Sequence, residues 1–597
     1  MRLFIILILG SFFIQCSDFE RKAVNPPDIS WADGIVWYQI FPERFRNGEK
    51  SNDPKAEEVN GSDQYKGWQV HPWQSDWYKV QPWEMSKSDK FYDSFFERRY
   101  GGDLVGVIEK LDYLKDLGIN AIYFNPVFEA QSLHKYDGAS FHHIDDNFGR
   151  NSSKDKIRLS NAKESDDPNS WIFTSADSVF FELIQEAHKR DIRIVIDGVF
   201  NHTGPEFFAF QDIVENGPDS RYAGWYDVKK WDDPATPENE FDFAGWWGFK
   251  GLPEFYEDEN GFRKEVWDYI FASTKRWMDP NNDGDPSDGI DGWRLDVAEQ
   301  VAPVFWREWY KHVKSINPGA LIVAEIWNDA SEAVKDKRFD GAMNYPFAYA
   351  MVEFFINKNK QINGAEVAKR FNELKENYGE KTMHRLWNLI DSHDTDRVAS
   401  MVLNPDLNYD RDRSPRDNPE YNLRKPTAEE RTPQKLIAAF QMTFIGAPML
   451  YYGTEAGMWG TDDPDDRKPM LWEDMDFENE KTHPLPGKTR PDDENKFDEE
   501  IFSYYQSLIK LRRENPALNS GSFEVLDVAT TENTFGFTRA SENQKLTILF
   551  NRGKSTENIE LVSSENVTDI FSRKKIESKN GRVRINLKPQ SFMVLEK

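Results

Sequence analysis

The sequence predicts an α/β fold, a (β/α)₈ TIM barrel with a domain inserted after strand three and an antiparallel β-sandwich at the C-terminus. Short apolar runs alternate with helical stretches over most of the chain, as they do in parallel βαβ units. Several of these runs end in a carboxylate, and the loops that follow the strands of such a barrel build its active site. After residue 515 the runs are short and separated by Gly, Asn and Ser, which is typical of a β-sandwich.

Eight strands of the barrel are predicted, each a short apolar run. They are residues 35–41, 121–125, 193–197, 292–296, 321–325, 341–344, 386–391 and 448–452. The helical stretches between and after them include residues 105–117, 178–190, 261–278, 302–315, 432–444 and 499–514. Eight such units over this length indicate a barrel with long insertions.

The chain divides into four predicted parts. Residues 1–16 are predicted to be a signal peptide and residues 17–33, which are polar and contain Pro-Pro, a tether. The barrel is predicted over residues 34–514, including a domain insertion at 199–260, and the β-sandwich over 515–597.

Composition limits the partners of the chain. The net charge of −28 and the pI near 4.9 argue against binding to nucleic acid or to an anionic membrane, because phosphates would be repelled. Aromatic residues make up 14% of the chain and include 20 Trp, which is compatible with stacking against sugar rings.

Cys16 is the one cysteine of the sequence, and it follows the apolar run 3–14. The run has the length of a signal-peptide core and is too short to span a bilayer. This arrangement resembles a bacterial lipoprotein cleavage site, so we expect an exported protein that is lipid-anchored to the outer membrane. An incidental cysteine in an ordinary signal peptide is the alternative.

Four blocks with carboxylates follow strand-like runs in a fixed order. They contain Asp197 and His202, Arg294 and Asp296, Glu325, and His393 and Asp394. Two acids at a suitable separation can cleave a glycosidic bond. Each block alone has an ordinary structural explanation, and the prediction depends on the four occurring together.

The residue types in these blocks indicate distinct roles. Strand alternation places Arg294 and Asp296 on the same side, where the guanidinium is expected to lower the pKa of the carboxyl and keep it ionised as a nucleophile. Glu325 ends an apolar strand, which would raise its pKa and suit it to donate a proton. Asp394 could hold substrate hydroxyls. No ligand spacing around His202 supports a metal there.

In this order the four blocks resemble the conserved regions of the α-amylase family, glycoside hydrolase family thirteen, over nearly the whole chain from about residue 34. The resemblance implies a barrel, an inserted B domain and a C-terminal β-domain, with retaining catalysis on α-glucosidic bonds. It implies that Asp296 is the nucleophile, Glu325 the acid/base and Asp394 the transition-state stabiliser. The other implied roles are held by Arg294, which orients the nucleophile, Tyr136, which stacks under the sugar, His202 and His393, which bond its hydroxyls, and Asp197, which supports the site.

Within the family the chain is most similar to the neopullulanase and cyclomaltodextrinase group, because of the segments 325–327 and 457–470. This resemblance implies that Asp463 and Arg467 contact a glucose unit further along the non-reducing side. Two features depart from the group. The barrel begins almost directly after the tether, so the additional N-terminal domain is expected to be absent, and residues 252–255 read Leu-Pro-Glu-Phe.

Two calcium sites are predicted, since clustered oxygen ligands suit Ca²⁺. The first resembles the site beside strand one in related enzymes and contains Asn47, Glu49, Asn52, Asp53, Gly101 and Asp103. The second matches the opening of a calcium loop without its closing Glu, and contains Asp279, Asn281, Asp283 and Asp288. A polar turn before strand four is the alternative for the second.

The predicted function is a retaining α-glucan hydrolase that cleaves mainly α-1,4 bonds of maltooligosaccharides, pullulan, cyclodextrins or starch. An α-glucan transglycosylase is the first alternative, because the same acids serve both reactions. A glycan-binding lipoprotein without turnover is the second, although no catalytic acid is missing from the blocks. The oligomeric state stays open.

Overall fold

A computed structural model describes residues 28–597 of the chain. The predicted signal peptide, Cys16 and most of the predicted tether lie outside the described residues. Within residues 28–597, no helix combines the length and the apolar character that crossing a membrane requires.

Eight parallel strands form the central sheet, which confirms the predicted barrel. They are β1 (Trp37–Ile40), β2 (Ala121–Phe124), β3 (Arg193–Gly198), β4 (Gly292–Leu295), β5 (Leu321–Ala324), β6 (Gly341–Ala342), β7 (Trp387–Asn388) and β8 (Ala447–Tyr451). The sheet runs in the order β6-β5-β4-β3-β2-β1-β8-β7, and a parallel bridge from Met343 to Trp387 joins its two ends. The barrel is therefore closed.

The paired segments β6 and β7 are shorter than the apolar runs that predicted them. Residues 386–391 are all buried, but only Trp387–Asn388 lie in a strand. Beyond β6, the Asn344 side chain accepts a hydrogen bond from the Phe347 N–H and caps the next helix. An apolar run in the sequence indicates which residues are buried. Here the buried residues extend further along the chain than the residues paired in a strand, so the predicted strands are too long.

Sixteen α-helices are present in residues 28–597, most of them between the strands or on the outside of the barrel. They are α1 (Pro42–Phe45), α2 (Leu104–Glu109), α3 (Leu111–Leu117), α4 (Ser152–Ala162), α5 (Ser175–His188), α6 (Phe208–Asn216), α7 (Lys264–Met278), α8 (Pro303–Ile316), α9 (Ser331–Lys335), α10 (Tyr345–Phe355), α11 (Gly364–Tyr378), α12 (Glu380–Met383), α13 (Val398–Met401), α14 (Thr432–Thr443), α15 (Glu499–Glu514) and α16 (Pro516–Ser520).

The core lies on both faces of the barrel strands, because successive side chains of a strand point in opposite directions. Alternate residues such as Trp37, Tyr123 and Trp387 fill the interior, with ring centroids 4.4 Å apart for Trp37 and Trp387. Their neighbours Tyr38 and Ile122 face the surrounding helices. The packed interior forms a floor beneath the carboxyl ends of the strands.

Residues 199–260, the predicted insertion, contain α6 and the antiparallel pair formed by Val228–Lys230 and Asp242–Phe243. A bridge between His202 and Glu254 ties the two ends of this segment together. The insertion therefore returns to the end of β3, where it can cover the mouth of the barrel.

The C-terminal region is antiparallel. Its strands are β9 (Ser522–Val525), β10 (Thr534–Ala540), β11 (Lys545–Asn551), β12 (Glu557–Val562), β13 (Val567–Asp569), β14 (Lys575–Ile576), β15 (Arg582–Leu587) and β16 (Ser591–Glu596). Six of them form one sheet, and β12 pairs with β15 in a second. Phe440 of α14 packs against Phe535 and Phe550, which joins this region to the barrel.

Candidate active site

A cavity of about 590 Å³ opens at the carboxyl ends of the barrel strands. Its lining includes eight residues predicted from the sequence: Tyr136, His202, Asp296, Glu325, His393, Asp394, Asp463 and Arg467. Asp197 and Arg294 do not line the cavity, and both side chains are fully buried next to it. The structure thus brings the four blocks together around one cleft.

Arg294 joins three carboxyl groups beneath the cavity. Its Nη1 donates to both oxygens of Asp197 at 2.8 Å and to Oδ1 of Asp296 at 2.9 Å. Its Nη2 lies 3.0 Å from Oε2 of Glu325. Because one planar guanidinium contacts all three, the orientations of the two catalytic candidates depend on the same side chain.

The pKa of Asp296 is shifted upward, whereas the sequence predicted a downward shift. Burial raises the pKa of Asp296 well above its usual range, and the carboxylates of Glu325 and Asp197 raise it further, while Arg294 acts in the opposite direction. The sequence indicates the contact with Arg294 but not the loss of solvent around Asp296. The loss of solvent has the larger effect on the pKa. Burial also raises the pKa of Asp197, which shares the Arg294 guanidinium with Asp296.

Glu325 is held by two donors. The backbone N–H of Val297 donates to its Oε2 at 3.0 Å, and the indole N–H of Trp327 donates to its Oε1 at 3.2 Å. The surroundings of this carboxyl are therefore more polar than the apolar strand predicted. Val297 has φ +39°, an unusual conformation for a β-branched residue and typical of strained backbone at functional sites.

Asp394 lies at the cavity next to His393 and Arg467, and Arg467 also contacts a second carboxylate. Nε2 of His393 is 3.1 Å from its Oδ1, and Nη2 of Arg467 lies 3.4 Å from the same oxygen. Arg467 is also 3.4 Å from Oδ2 of Asp463, and its Nε donates to the His393 carbonyl oxygen at 2.7 Å. Burial raises the pKa of Asp394 to about 8, and the carboxylate of Glu325 adds to the effect.

Tyr136 and His393 contact Asn125 and Gln39 respectively, two residues that were not predicted as site residues. The Tyr136 hydroxyl lies 2.6 Å from Nε2 of His393 and donates to Asp197 at 3.1 Å. Gln39 contacts Nδ1 of His393 at 2.9 Å and donates to Asn125 at 3.0 Å. Gln39 lies in β1 and Asn125 directly after β2, so a polar residue within or directly after an apolar strand was the available signal.

His202 presents a free nitrogen to the cavity. Its Nδ1 is 3.3 Å from the Asn201 amide, and its buried Nε2 has no hydrogen-bond partner among the described residues. Burial lowers the pKa of His202 to about 4, so the ring is neutral near pH 7. A neutral imidazole nitrogen there can bond a sugar hydroxyl.

Further lining residues were not predicted as site residues. They include Phe96, His134, Trp246, Trp247 and Asp410. Trp247 is 82% exposed and stacks on Trp246, with centroids 5.0 Å apart and planes at 14°. The Trp-rich composition of residues 203–260 indicated aromatic contacts, but no pattern distinguished exposed Trp247 from buried Trp225.

The first calcium candidate is a compact group of oxygen ligands near α2. Asp103 accepts from the backbone N–H of Glu49 at 2.9 Å and from the Asn52 amide at 3.2 Å. The side-chain oxygens of Asn47 and Asn52 are buried without a hydrogen-bond partner in the described part of the chain. A Cβ at Gly101 would lie 2.4 Å from Oδ1 of Asp53, so the backbone there approaches the ligands closely. These features fit a cation.

The second calcium candidate forms a polar turn. Asp279 accepts from the N–H groups of Asp283 at 3.1 Å and Gly284 at 3.3 Å. Asn281 also accepts from the Asp283 N–H, at 2.8 Å, and Oδ1 of Asp288 is buried without a hydrogen-bond partner within residues 28–597. Most of the oxygens already accept backbone N–H groups, so this site stays a prediction beside its alternative.

Comparison with known proteins identifies relatives over most of the chain. Residues 39–166 and 173–521 match the family model described as alpha amylase, catalytic domain. Neopullulanase 2 of Thermoactinomyces vulgaris is 34% identical over 570 residues, which cover 95% of this chain and 78% of the relative. Cyclomaltodextrinase of Thermoanaerobacter pseudethanolicus is 32% identical over 580 residues, covering 97% of this chain and 79% of the relative.

A solved structure shares the fold. The cyclic alpha-maltosyl-(1→6)-maltose hydrolase of Arthrobacter globiformis, in complex with that sugar, has a TM-score of 0.68 at 26% identity. The similarity covers 96% of this chain and 100% of the other.

Proposed function

Because this chain belongs to the alpha-amylase family of glycoside hydrolases, we propose that it cleaves α-glucosidic bonds, mainly α-1,4, with retention of configuration. Asp296 is the proposed nucleophile, Glu325 the acid/base and Asp394 the group that stabilises the transition state. One observation carries the proposal. A single guanidinium, that of Arg294, contacts both Asp296 and Glu325 at the wall of the cavity.

The first half of the proposed reaction breaks the glycosidic bond. Protonated Glu325 gives its proton to the glycosidic oxygen while a carboxylate oxygen of Asp296 attacks the anomeric carbon. The leaving sugar departs with that proton, and an ester bond joins the glycosyl unit to Asp296. Arg294 favours the ionised form of Asp296 in this step, against the effect of burial.

The second half returns the enzyme to its starting state. Ionised Glu325 takes a proton from water, the resulting oxygen attacks the anomeric carbon, and the ester bond to Asp296 breaks. Two inversions retain the α configuration. Asp394 and His202, whose Nε2 has no hydrogen-bond partner in the described residues, both line the cavity and would bond the sugar hydroxyls during both steps.

The substrate class is proposed from the cavity and the relatives. The relatives named neopullulanase and cyclomaltodextrinase support pullulan and cyclic maltodextrins as substrates. Stacked Trp246 and Trp247 offer a flat apolar surface at the cavity, and Asp463 with Arg467 offers charged contacts elsewhere along it. We therefore propose maltooligosaccharides, cyclodextrins, pullulan and starch as candidate substrates.

A substrate panel tests the proposal. Purified protein is incubated with maltotriose, β-cyclodextrin, pullulan, starch and panose, and the products are separated by chromatography. Hydrolysis of at least one of them by the native chain, absent in Asp296→Asn with an unchanged melting curve, is expected. Near-normal activity of Asp296→Asn would refute the nucleophile. Products from maltotriose longer than the substrate would favour transglycosylation over hydrolysis.

Calcium at the first candidate site is a further part of the proposal. Asn47, Glu49, Asn52, Asp53, Gly101 and Asp103 would supply the oxygens. The unpartnered buried oxygens of Asn47 and Asn52 support it, since such atoms otherwise cost free energy. The site lies beside the start of α2, so the ion would fix the chain there and stabilise the fold.

Export with a lipid anchor is proposed from the sequence of residues 1–16, which lie outside the described residues. Expression of the complete chain and of Cys16→Ser, followed by membrane fractionation, tests it. The native chain is expected in the membrane fraction and Cys16→Ser in the soluble fraction. Equal distribution of the two proteins would contradict lipidation.

A further inference from the structure

We propose that His142, His143 and Glu164 form a binding site for a divalent transition-metal ion of the zinc type, separate from the active site and from both calcium candidates. Each residue offers one ligand atom, an imidazole nitrogen or a carboxylate oxygen, and the three atoms all lie within 4.8 Å of one another. Two imidazoles and a carboxylate are a ligand set that Zn²⁺ accepts. Ca²⁺ prefers oxygen ligands alone, so this set discriminates between the two metals.

The distances within the group fit one ion. With metal–ligand bonds of about 2.1 Å, two ligands of a tetrahedral ion lie about 3.4 Å apart. Nε2 of His142 is 3.4 Å from Oε2 of Glu164, and Nε2 of His143 is 2.7 Å from the same oxygen. The first separation already has this value, and the Glu164 carboxylate would have to move about 0.7 Å from His143 for the second to reach it.

Each ligand is oriented by a partner on its other polar atom. Nδ1 of His143 lies 2.9 Å from Asp177, and Nδ1 of His142 lies 2.7 Å from the Tyr269 hydroxyl. Oε1 of Glu164 accepts the Ile172 N–H at 2.5 Å. Metal-binding histidines commonly have such a second partner, which fixes the tautomer and directs the remaining nitrogen to the ion.

The charges around the group are compatible with a bound cation. Asp177 and Glu164 contribute two carboxylates, and Arg276 is paired with Asp177 at 3.1 Å. The side chains of His142 and His143 are 4% and 5% exposed, whereas that of Glu164 is 11% exposed and lies nearest to solvent. The alternative to a bound ion is that these residues only form the hydrogen bonds and ion pairs described above.

The proposed ion would connect a catalytic loop to an outer segment of the chain. His142 and His143 lie in the loop after β2 that also carries Tyr136, and Glu164 follows α4. Trp171, from the same outer segment, stacks on His142 with centroids 4.3 Å apart. The predicted role of the metal is therefore to stiffen the loop that supports Tyr136.

Cobalt binding tests the site with a readout independent of activity. Full-length protein stripped of transition metals and saturated with Ca²⁺ is titrated with Co²⁺, and the visible d–d spectrum is recorded. One equivalent of tetrahedral or five-coordinate Co²⁺, displaced by Zn²⁺, is expected for the native chain. Its absence would overturn the proposal.

Variants locate the ion. His142→Gln and Glu164→Gln should lose the Co²⁺ spectrum, and Tyr269→Phe should weaken binding by about 10- to 100-fold because the orienting hydroxyl is removed. Glu182→Gln on neighbouring α5, a carboxylate paired with Arg150 outside the cluster, is the matched control and should bind as the native chain does. Circular dichroism shows whether each variant is folded.

If a variant does not fold, a rise in the melting temperature of the native chain with Zn²⁺ but not with added Ca²⁺ supports the site, and the absence of that rise overturns it. Unchanged Co²⁺ binding in folded His142→Gln and Glu164→Gln would also overturn it.

Discussion

Replacing Arg294 by lysine should damage catalysis much more than it damages the fold. Arginine presents Nη1 to Asp197 and Asp296 and Nη2 to Glu325, at 2.8–3.0 Å. Lysine keeps the positive charge but has a single nitrogen, so it can replace the contacts of one of these nitrogens only. A hydrogen bond to a charged group contributes about 1.5–3 kcal/mol. If that contact acts in the transition state, its loss lowers kcat by roughly 10- to 150-fold.

The assay measures kcat and KM of native enzyme and Arg294→Lys on the best substrate of the panel, together with their melting curves. The matched control is Arg307→Lys, which changes an exposed arginine of α8 that pairs with Asp336, and it should leave kcat unchanged. A kcat of Arg294→Lys within twofold of the native value would refute the role given to the shared guanidinium. A loss of the folded state at room temperature would show that the charge cluster is mainly structural.

Three further predictions concern stability and substrate binding. Asp394→Asn should stabilise the fold increasingly as pH rises from about 4 to about 8. Burial raises the pKa of Asp394 to about 8 in the folded protein, so over that interval the unfolded chain ionises first and the native protein loses stability, by at most about 6 kcal/mol. Denaturant curves of Asp394→Asn that show the same stabilisation at pH 5 and pH 8 would contradict this. Trp247→Ala should raise KM for long maltooligosaccharides roughly tenfold with little change in kcat, if a sugar covers about 50 Å² of the exposed ring at 25 cal/mol per Å²; an unchanged KM would exclude that contact. Chelation of Ca²⁺ should lower the melting temperature of the native chain, and Asp103→Ala should abolish this sensitivity while Asp283→Ala retains it; no effect of chelation would exclude both calcium sites.

Much of the fold could be predicted because its signals are local. Each barrel strand is a short buried run, and the catalytic candidates Asp296 and Glu325 follow β4 and β5 directly. The parallel arrangement of the strands then brings these acids to one end of the barrel. Strand ends were less predictable, since the apolar run around β7 includes residues that are buried without being paired.

The interactions that tune the site could not be predicted, because they join distant parts of the chain. Gln39 and His393 are 354 residues apart in sequence, and no local pattern relates them. The pKa of Asp296 depends on how completely the folded barrel excludes water, which outweighs the adjacent Arg294. Likewise, Glu164 meets His142 and His143 through tertiary packing, without the ligand spacing of a known motif.

Trapping the glycosyl-enzyme tests the central claim most directly. Glu325→Gln, which cannot supply the acid or the base, is incubated with a fluorinated α-glycosyl fluoride whose good leaving group requires no protonation. Peptide mass spectrometry should locate one glycosyl adduct on Asp296, with none in Asp296→Asn. An adduct on another residue, or products of inverted configuration from the native enzyme, would contradict the account.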